Sequence, residues 1–238
     1  MKKIFIINGS RNKSGNTANF IKFIINELNS NYKFIWMYPQ DYTILPVYES
    51  YDSNYNEDTT DDIGILKKQI LESDLLIIAS PVYMHSMSAD LKFLIERLVE
   101  WSHTFILDGK PTVILSTCNS NGHDKVIKPI SEIVTYMGGN IIANSNASYT
   151  YEFQNIKVIK EISYEIAKRI TKFLEMDPQS NADIEKKFIN TQNIVRKRID
   201  YKRLNNIELD WEDSHWIETG KINYSSFSEY LRGKCNEN

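Results

Sequence analysis

A chain of 238 residues with 42% apolar and 25% charged content is long enough to bury one substantial core and has the make-up of a globular protein. Its formal charge of -3 argues against bulk nucleic-acid binding, and two cysteines with four histidines leave neither a disulfide framework nor a zinc cluster. The apolar run after Met1, Lys2 and Lys3 stops at Asn8, too short for a signal peptide or a membrane span, so a reduced, cytoplasmic setting without a membrane partner is expected.

The first predicted element is a strand, Lys3–Asn8, followed by the polar loop GSRNKSGNT at 9–17 and a helix over 17–29. Ala18, Ile21, Ile24, Ile25 and Leu28 supply the apolar face of that helix. Such a loop offers a terminal phosphate the hydroxyls of Ser10, Ser14 and Thr17, the Asn16 amide, the Arg11 guanidinium and backbone N–H groups. Gly15 allows close backbone approach. The spacing fits neither a Walker loop nor GxGxxG. A solvent loop with an ordinary helix cap explains the same residues about as well when they are taken alone.

A second strand is predicted at Lys33–Met37, then a polar, acidic, tyrosine-rich excursion over 40–61 that suits a lid or a partner-facing loop. A helix over 62–72 leads to a strand at Leu75–Ala79, and the loop Ser80–Ser88 leads to a helix over 89–101. Pro81 stiffens that loop, and Tyr83 and Met84 either cover a ring face or pack beneath the helix. The next strand, Thr112–Thr117, opens into the donor-rich loop TCNSNGH at 117–123. Cys118 reads as a buried, inert thiol. A helix over 124–137, a strand at Asn140–Ala143 and a helix over 157–175 follow. The runs LLIIA and TVILST are apolar on both faces, as central strands of a covered parallel sheet require. Five strands alternating with five helices predict an α/β, doubly wound sheet whose crevice lies beyond the strands' carboxyl ends.

Pro178 marks a boundary between a first unit at 1–175 and an extension at 176–238. A charged helix is expected over 183–204, then a tail holding Trp211, Trp216, Tyr224, Phe227 and Tyr230. This segment is too short and polar for a core of its own and is expected to wrap the main unit or a second subunit.

The loops at 9–17 and 80–97, in this order and with TCNSNGH third, resemble the flavodoxin-like NAD(P)H-dependent FMN reductases, including the branch related to iron–sulfur flavoproteins. The resemblance covers about residues 1–175 and implies a five-stranded sheet of order 2-1-3-4-5. It implies that Ser10, Arg11, Ser14, Asn16 and Thr17 hold the FMN phosphate. Pro81, Val82, Tyr83, Met84 and Ser86 would lie along the ring and ribityl chain, and Thr117, Asn119, Ser120 and Gly122 on the ring's other side. Lys92 and Arg97 match a helix that is structural or interfacial in relatives. Two departures stand out. Met84 and His85 replace the Trp or Gly frequent after PVY, and Cys118 with Cys235 cannot ligate a four-thiolate cluster.

The activity implied is hydride transfer from NADH or NADPH to FMN, then electron transfer to a small acceptor such as a quinone, a flavin or an unsaturated metabolite. No catalytic side chain and no metal are required, and a homodimer is implied by the same resemblance. Two other oxidoreductive readings compete. One is a flavodoxin-type electron carrier. The other is a tailoring reductase that recognises a peptide or metabolite through the 40–61 loop and the extension. A non-catalytic interaction protein is the reading if the first loop holds no phosphate.

Overall fold

The computed structural model describes residues 1–29, 31–47 and 61–236. Strands β1 (Lys2–Asn8), β2 (Tyr32–Met37), β3 (Leu75–Pro81), β4 (Pro111–Cys118) and β5 (Asn140–Ser148) form one sheet in the order β2-β1-β3-β4-β5, every pair parallel. The fold is flavodoxin-like, as expected. Strand order reverses between β1 and β3, which opens a crevice beyond their carboxyl ends.

Alternate residues along each strand feed two separate layers of core. Ile4 and Ile6 of β1 pack with Phe20, Ile21 and Ile24 of α1 (Asn16–Asn26) and with Ile159, Ile166 and Ile170 of α5 (Ile156–Leu174). Phe5 and Ile7 face the other way, onto α2 (Ile63–Glu72), α3 (Ala89–Arg97) and α4 (Asp124–Tyr136). All of β3 and β4 is buried, consistent with their unbroken apolar character.

Boundaries moved where local chemistry intervened. Helix α1 stops at Asn26, and α3 ends at Arg97, giving way to a 3₁₀ turn at Val99–Trp101. Strand β5 runs on to Ser148 because its polar residues pair with β4 through Cys118↔Ser148. Most of the 40–61 excursion lies outside the described residues. Its stems do not: the Asp62 amide donates to the Thr43 carbonyl while the Asp62 carboxylate accepts from the Thr43 amide, and the Asp61 carboxylate accepts from the amides of Leu45 and Ile63. Buried Arg97 completes the clasp with its guanidinium 3.2 Å from Asp61, and Lys92 pairs with Glu96 on the outer face.

Three further helices, α6 (Ala182–Leu204), α7 (Trp211–Glu218) and α8 (Phe227–Asn236), share a third apolar cluster. The tail aromatics split: Trp216, Phe227 and Tyr230 are buried, while Trp211 stays exposed. At the centre of the cluster is Phe105, which precedes β4 and is fully buried. Its ring meets Phe188, Phe227 and Trp216 at centroid distances of 5.3, 5.4 and 5.9 Å. The Trp216 indole donates to the His103 carbonyl at 2.9 Å. Buried Asp213 locks α7 to α6 by accepting from Arg198 Nε and Lys202 Nζ, each at 2.6 Å. No described helix is long and apolar enough to cross a membrane.

Two outcomes follow for stability. Phe105→Ala removes a fully buried ring and is expected to cost about 3–5 kcal/mol by urea denaturation. His215, on α7, is pushed down to about 4 by burial first and by Lys221 and Lys234 next, against the opposing pull of Asp108. The unfolded chain therefore takes up a proton near 6.5 that the folded chain refuses until about 4. Stability is expected to fall as pH drops through that window, and His215→Gln should flatten this part of the profile relative to wild type.

Candidate functional site

Asn8 ends β1, and its side-chain oxygen accepts from the Ser10 amide at 2.9 Å, turning the chain out of the sheet. Asn12 then organises the loop: its Oδ1 accepts from both the amide and the hydroxyl of Ser14, each at 3.0 Å. Helix α1 begins at Asn16 with Gly15 as its N-cap, and no side chain caps its first turn. The open N–H groups of that turn carry the positive end of the helix dipole.

Two glycines bring the neighbouring loops into contact. The Gly9 amide donates to the Ala79 carbonyl at 2.8 Å, and a Cβ at Gly9 would lie 2.8 Å from Ser88 Oγ and 3.0 Å from Leu91 Cβ. Gly122 has φ +90°, and a Cβ there would lie 2.9 Å from Val82 Cγ1. Between them the Val82 amide donates to the Thr117 carbonyl at 2.7 Å, and buried Thr17 and Thr117 share a hydroxyl hydrogen bond of 2.7 Å. The second loop is a tight hairpin. Tyr83 and Ser86 exchange backbone hydrogen bonds of 2.9 and 3.0 Å, while Met84 and His85 take φ of 48° and 57° at its tip.

These ties enclose a cleft of about 320 Å³. Of the residues expected from sequence, Ser10, Asn16, Thr17, Pro81, Val82, Tyr83, Thr117 and Asn119 line it together. Arg11, Ser14, Met84, Ser86, Ser120 and Gly122 lie outside the lining. The reasons differ. Arg11 gives its fork to Asp90 at 2.9 and 2.7 Å, a bidentate pair that holds the guanidinium above its usual pKa. Ser14 is turned to Asn12, and Met84, 97% exposed, stands at the hairpin tip. Gly122 acts by letting its loop approach Val82.

Asn12, Gly15, Cys118 and Tyr149 join the lining without having been selected as ligand contacts from sequence. Tyr149 is positioned from β5, where its amide donates to the Cys118 carbonyl at 2.9 Å. Glu152 steadies that strand end: burial pushes its carboxyl up, but hydrogen bonds from the Ser148 hydroxyl and amide outweigh this and hold it below its ordinary value. Burial raises the Cys118 thiol, whose hydrogen points to Asn146 Oδ1 at 3.5 Å, so it stays protonated at neutral pH. Cys235 is exposed on α8, and both thiols are free.

The cradle is therefore neutral. Lys13, the other cation of the loop, sits 2.7 Å from Asp41. What faces the cleft at its helix end is a set of hydroxyls, amides and an uncapped helix start, which suits a phosphate monoester. Val82 and the half-exposed rings of Tyr83 and Tyr149 offer a flat apolar ligand a wall. The donors and the wall both fit FMN.

The sequence profile of the family described as NADPH-dependent FMN reductase matches residues 2–152, a span that contains every residue lining the cleft. The chain belongs to that family, a class of FMN- and NAD(P)H-using oxidoreductases. An iron–sulfur flavoprotein of Archaeoglobus fulgidus is 42% identical over 50 residues, 21% of this chain and 23% of that protein. YwqN of Bacillus subtilis (strain 168), provisionally named an NAD(P)H-dependent FMN-containing oxidoreductase, is 30% identical over 103 residues, 43% of this chain and 53% of its own. The chain thus matches about a quarter and about half of the length of these two relatives. Among solved structures, an FMN-dependent NADH-azoreductase from Bacillus anthracis str. Ames Ancestor, in complex with FMN, shares the fold with a TM-score of 0.57 at 13% identity. The likeness covers 71% of this chain and 99% of that one.

Gly9→Ala tests the contact that joins the first two loops. The added methyl has neither room against Ser88 nor a way past the Ala79 carbonyl, 3.2 Å off. A loss of about 1–3 kcal/mol in urea denaturation is expected.

Proposed function

We propose that this chain is an NAD(P)H-dependent FMN oxidoreductase delivering electrons to a small acceptor such as a quinone, a flavin or an unsaturated metabolite. The observation that carries this reading is the meeting of three loops around the uncapped start of α1, with neutral donors at one end of the cleft and two half-exposed tyrosines on its wall. Bound FMN supplies the hydride and single-electron chemistry that no side chain offers. The chain's part is to bind, to orient and to leave an approach open.

In this reading Ser10, Asn12, Asn16 and Thr17 hold the phosphate with the first-turn amides of α1. Val82, Thr117 and Asn119 border the flavin, and Tyr83 and Tyr149 shelter its apolar faces. Met84 and His85, held in left-handed backbone at an exposed tip, govern which acceptor comes close. Among the described residues none beyond Tyr149 lines the cleft, so within one chain the described C-terminal helices give it no wall. The reading further treats 1–175 as the flavin unit, 176–238 as an extension, and the assembly as a homodimer, which rests on the family resemblance.

The purified protein is expected to be yellow or to become so with added FMN, and to oxidise NADH or NADPH rapidly when an acceptor is present. Ser10→Ala with Asn16→Ala should raise the FMN dissociation constant at least tenfold, about 1.4 kcal/mol. Arg11→Ala should change it by less than about threefold, since the guanidinium is committed to Asp90. A colourless protein after reconstitution would overturn the assignment, and FMN binding without nucleotide oxidation would favour the electron-carrier alternative.

A further inference from the structure

Among the described residues, Met84 breaks two rules of a folded chain at once. Its side chain is 97% exposed, more than any other large apolar one. Its backbone is left-handed at φ 48°, and His85 follows at 57°, the one pair of consecutive non-glycine residues in that region. A two-residue hairpin tip of this kind favours Asn-Gly, because a Cβ in left-handed backbone costs free energy. Phe105 carries the same strain at φ 53°, but its burial among aromatic rings offsets it. Met84 buries nothing, so stability does not account for its place at the tip.

The tip stands on a rigid base. Tyr83 and Ser86 close it with reciprocal backbone bonds of 2.9 and 3.0 Å, Met87 is buried below, and the Ser88 amide donates to Ser80 Oγ at 3.0 Å. The third loop abuts it, since a Cβ at Gly122 would lie 3.1 Å from His85 Nδ1. Tyr83, one residue before Met84, lines the cleft. None of the twelve described residues lining the cleft is Asp, Glu, Lys, Arg or His. The cations of the first loop stand in pairs, Arg11 with Asp90 and Lys13 with Asp41. A cleft of about 320 Å³ is at the lower end for a ligand site. An acceptor that meets a flavin held there must therefore rest partly outside, against the rim where Tyr83 and Met84 stand.

We propose that the acceptor is an uncharged, planar aromatic compound of at least two rings, and that Met84 selects it. The inference rests on the reading of the cleft given above. A thioether is polarisable and adaptable, and it makes favourable contacts with aromatic ring edges. An anionic substituent would instead meet neutral cleft walls and cations already committed to carboxylates. For a quinone, reduction to the hydroquinone takes two electrons and two protons. NAD(P)H supplies them as a hydride, leaving NAD(P)+, and solvent supplies the second proton.

Steady-state kinetics of the full-length, FMN-loaded protein test this with 1,4-benzoquinone, 1,4-naphthoquinone and 1,4-naphthoquinone-2-sulfonate. The electron-withdrawing sulfonate makes the last a stronger oxidant than its parent, so driving force alone favours it. Wild type is expected nonetheless to show a kcat/KM about tenfold or more higher for naphthoquinone than for the sulfonate. Met84→Asn, which suits left-handed backbone, should raise the urea midpoint. It should yet lower the naphthoquinone-to-benzoquinone ratio of kcat/KM about fivefold, through KM. Met84→Lys should narrow the gap between naphthoquinone and its sulfonate by about fivefold. An unchanged ratio in Met84→Asn overturns the proposal and leaves the flavin assignment intact. So does a wild-type preference for the sulfonate, such as a cationic His85 would produce. Failure to reduce any acceptor, benzoquinone included, overturns the reading of the cleft and this proposal with it.

Discussion

The architecture depends on how closely β1 and β3 run where the sheet changes direction. Their register, Ile4↔Leu75 through Asn8↔Ala79, ends in the Gly9 amide bonded to Ala79, with no space for a side chain between the two loops. Without that contact the first loop would still exist but would not share a cleft with the second. The Thr17–Thr117 hydroxyl bond extends the constraint across to β4, so the start of α1 is anchored from both sides of the switch point. Each tie is short, buried and made from small residues. The cleft is thus preorganised by backbone geometry, with little side-chain entropy left to lose on binding.

That geometry also explains the electrostatics. A phosphate-binding loop carrying Arg11 and Lys13 reads, residue by residue, as a cationic grip. In three dimensions both charges are taken by carboxylates from elsewhere in the chain, Asp90 and Asp41. Amides, hydroxyls and a helix dipole remain. They give weaker attraction at long range than a free guanidinium but fixed directions at short range, which favours a ligand of one shape over anions in general.

Local pattern made the sheet legible because β3 and β4 are apolar on both faces, which within an alternating α/β series means burial from two sides. It failed where partners are distant. The second half of β5, Asn144–Ser148, is polar and looks like a loop until β4 pairs with it. Tyr149 enters the cleft only because that extension carries it there. Helices α7 and α8 have few apolar positions and depend on Phe105, far away in sequence and itself in left-handed backbone at φ 53°. The donor types of the first loop are recognisable in its sequence, but the part of Asn12 is not, because its side chain both orders Ser14 and lines the cleft only once the loop has folded.

The two ends of the sheet are built from different materials, which bears on how a chain of this family acquires something new. The carboxyl end is made of loops joined by glycine contacts and hydroxyl bonds, and small displacements there would disturb the cleft. The amino end is made of strand starts and helix ends, regions that tolerate addition. The C-terminal helices dock at Phe105 and around Asp108, in the segment between α3 and β4, and leave the cleft lining untouched. Lys221, buried at this junction, is held by Asp108 and His215 Nε2, each at 3.2 Å, and lies over the Tyr230 ring at 4.9 Å, so the helices are fixed here by a satisfied buried charge as well as by the apolar packing of Trp216, Phe188 and Phe227.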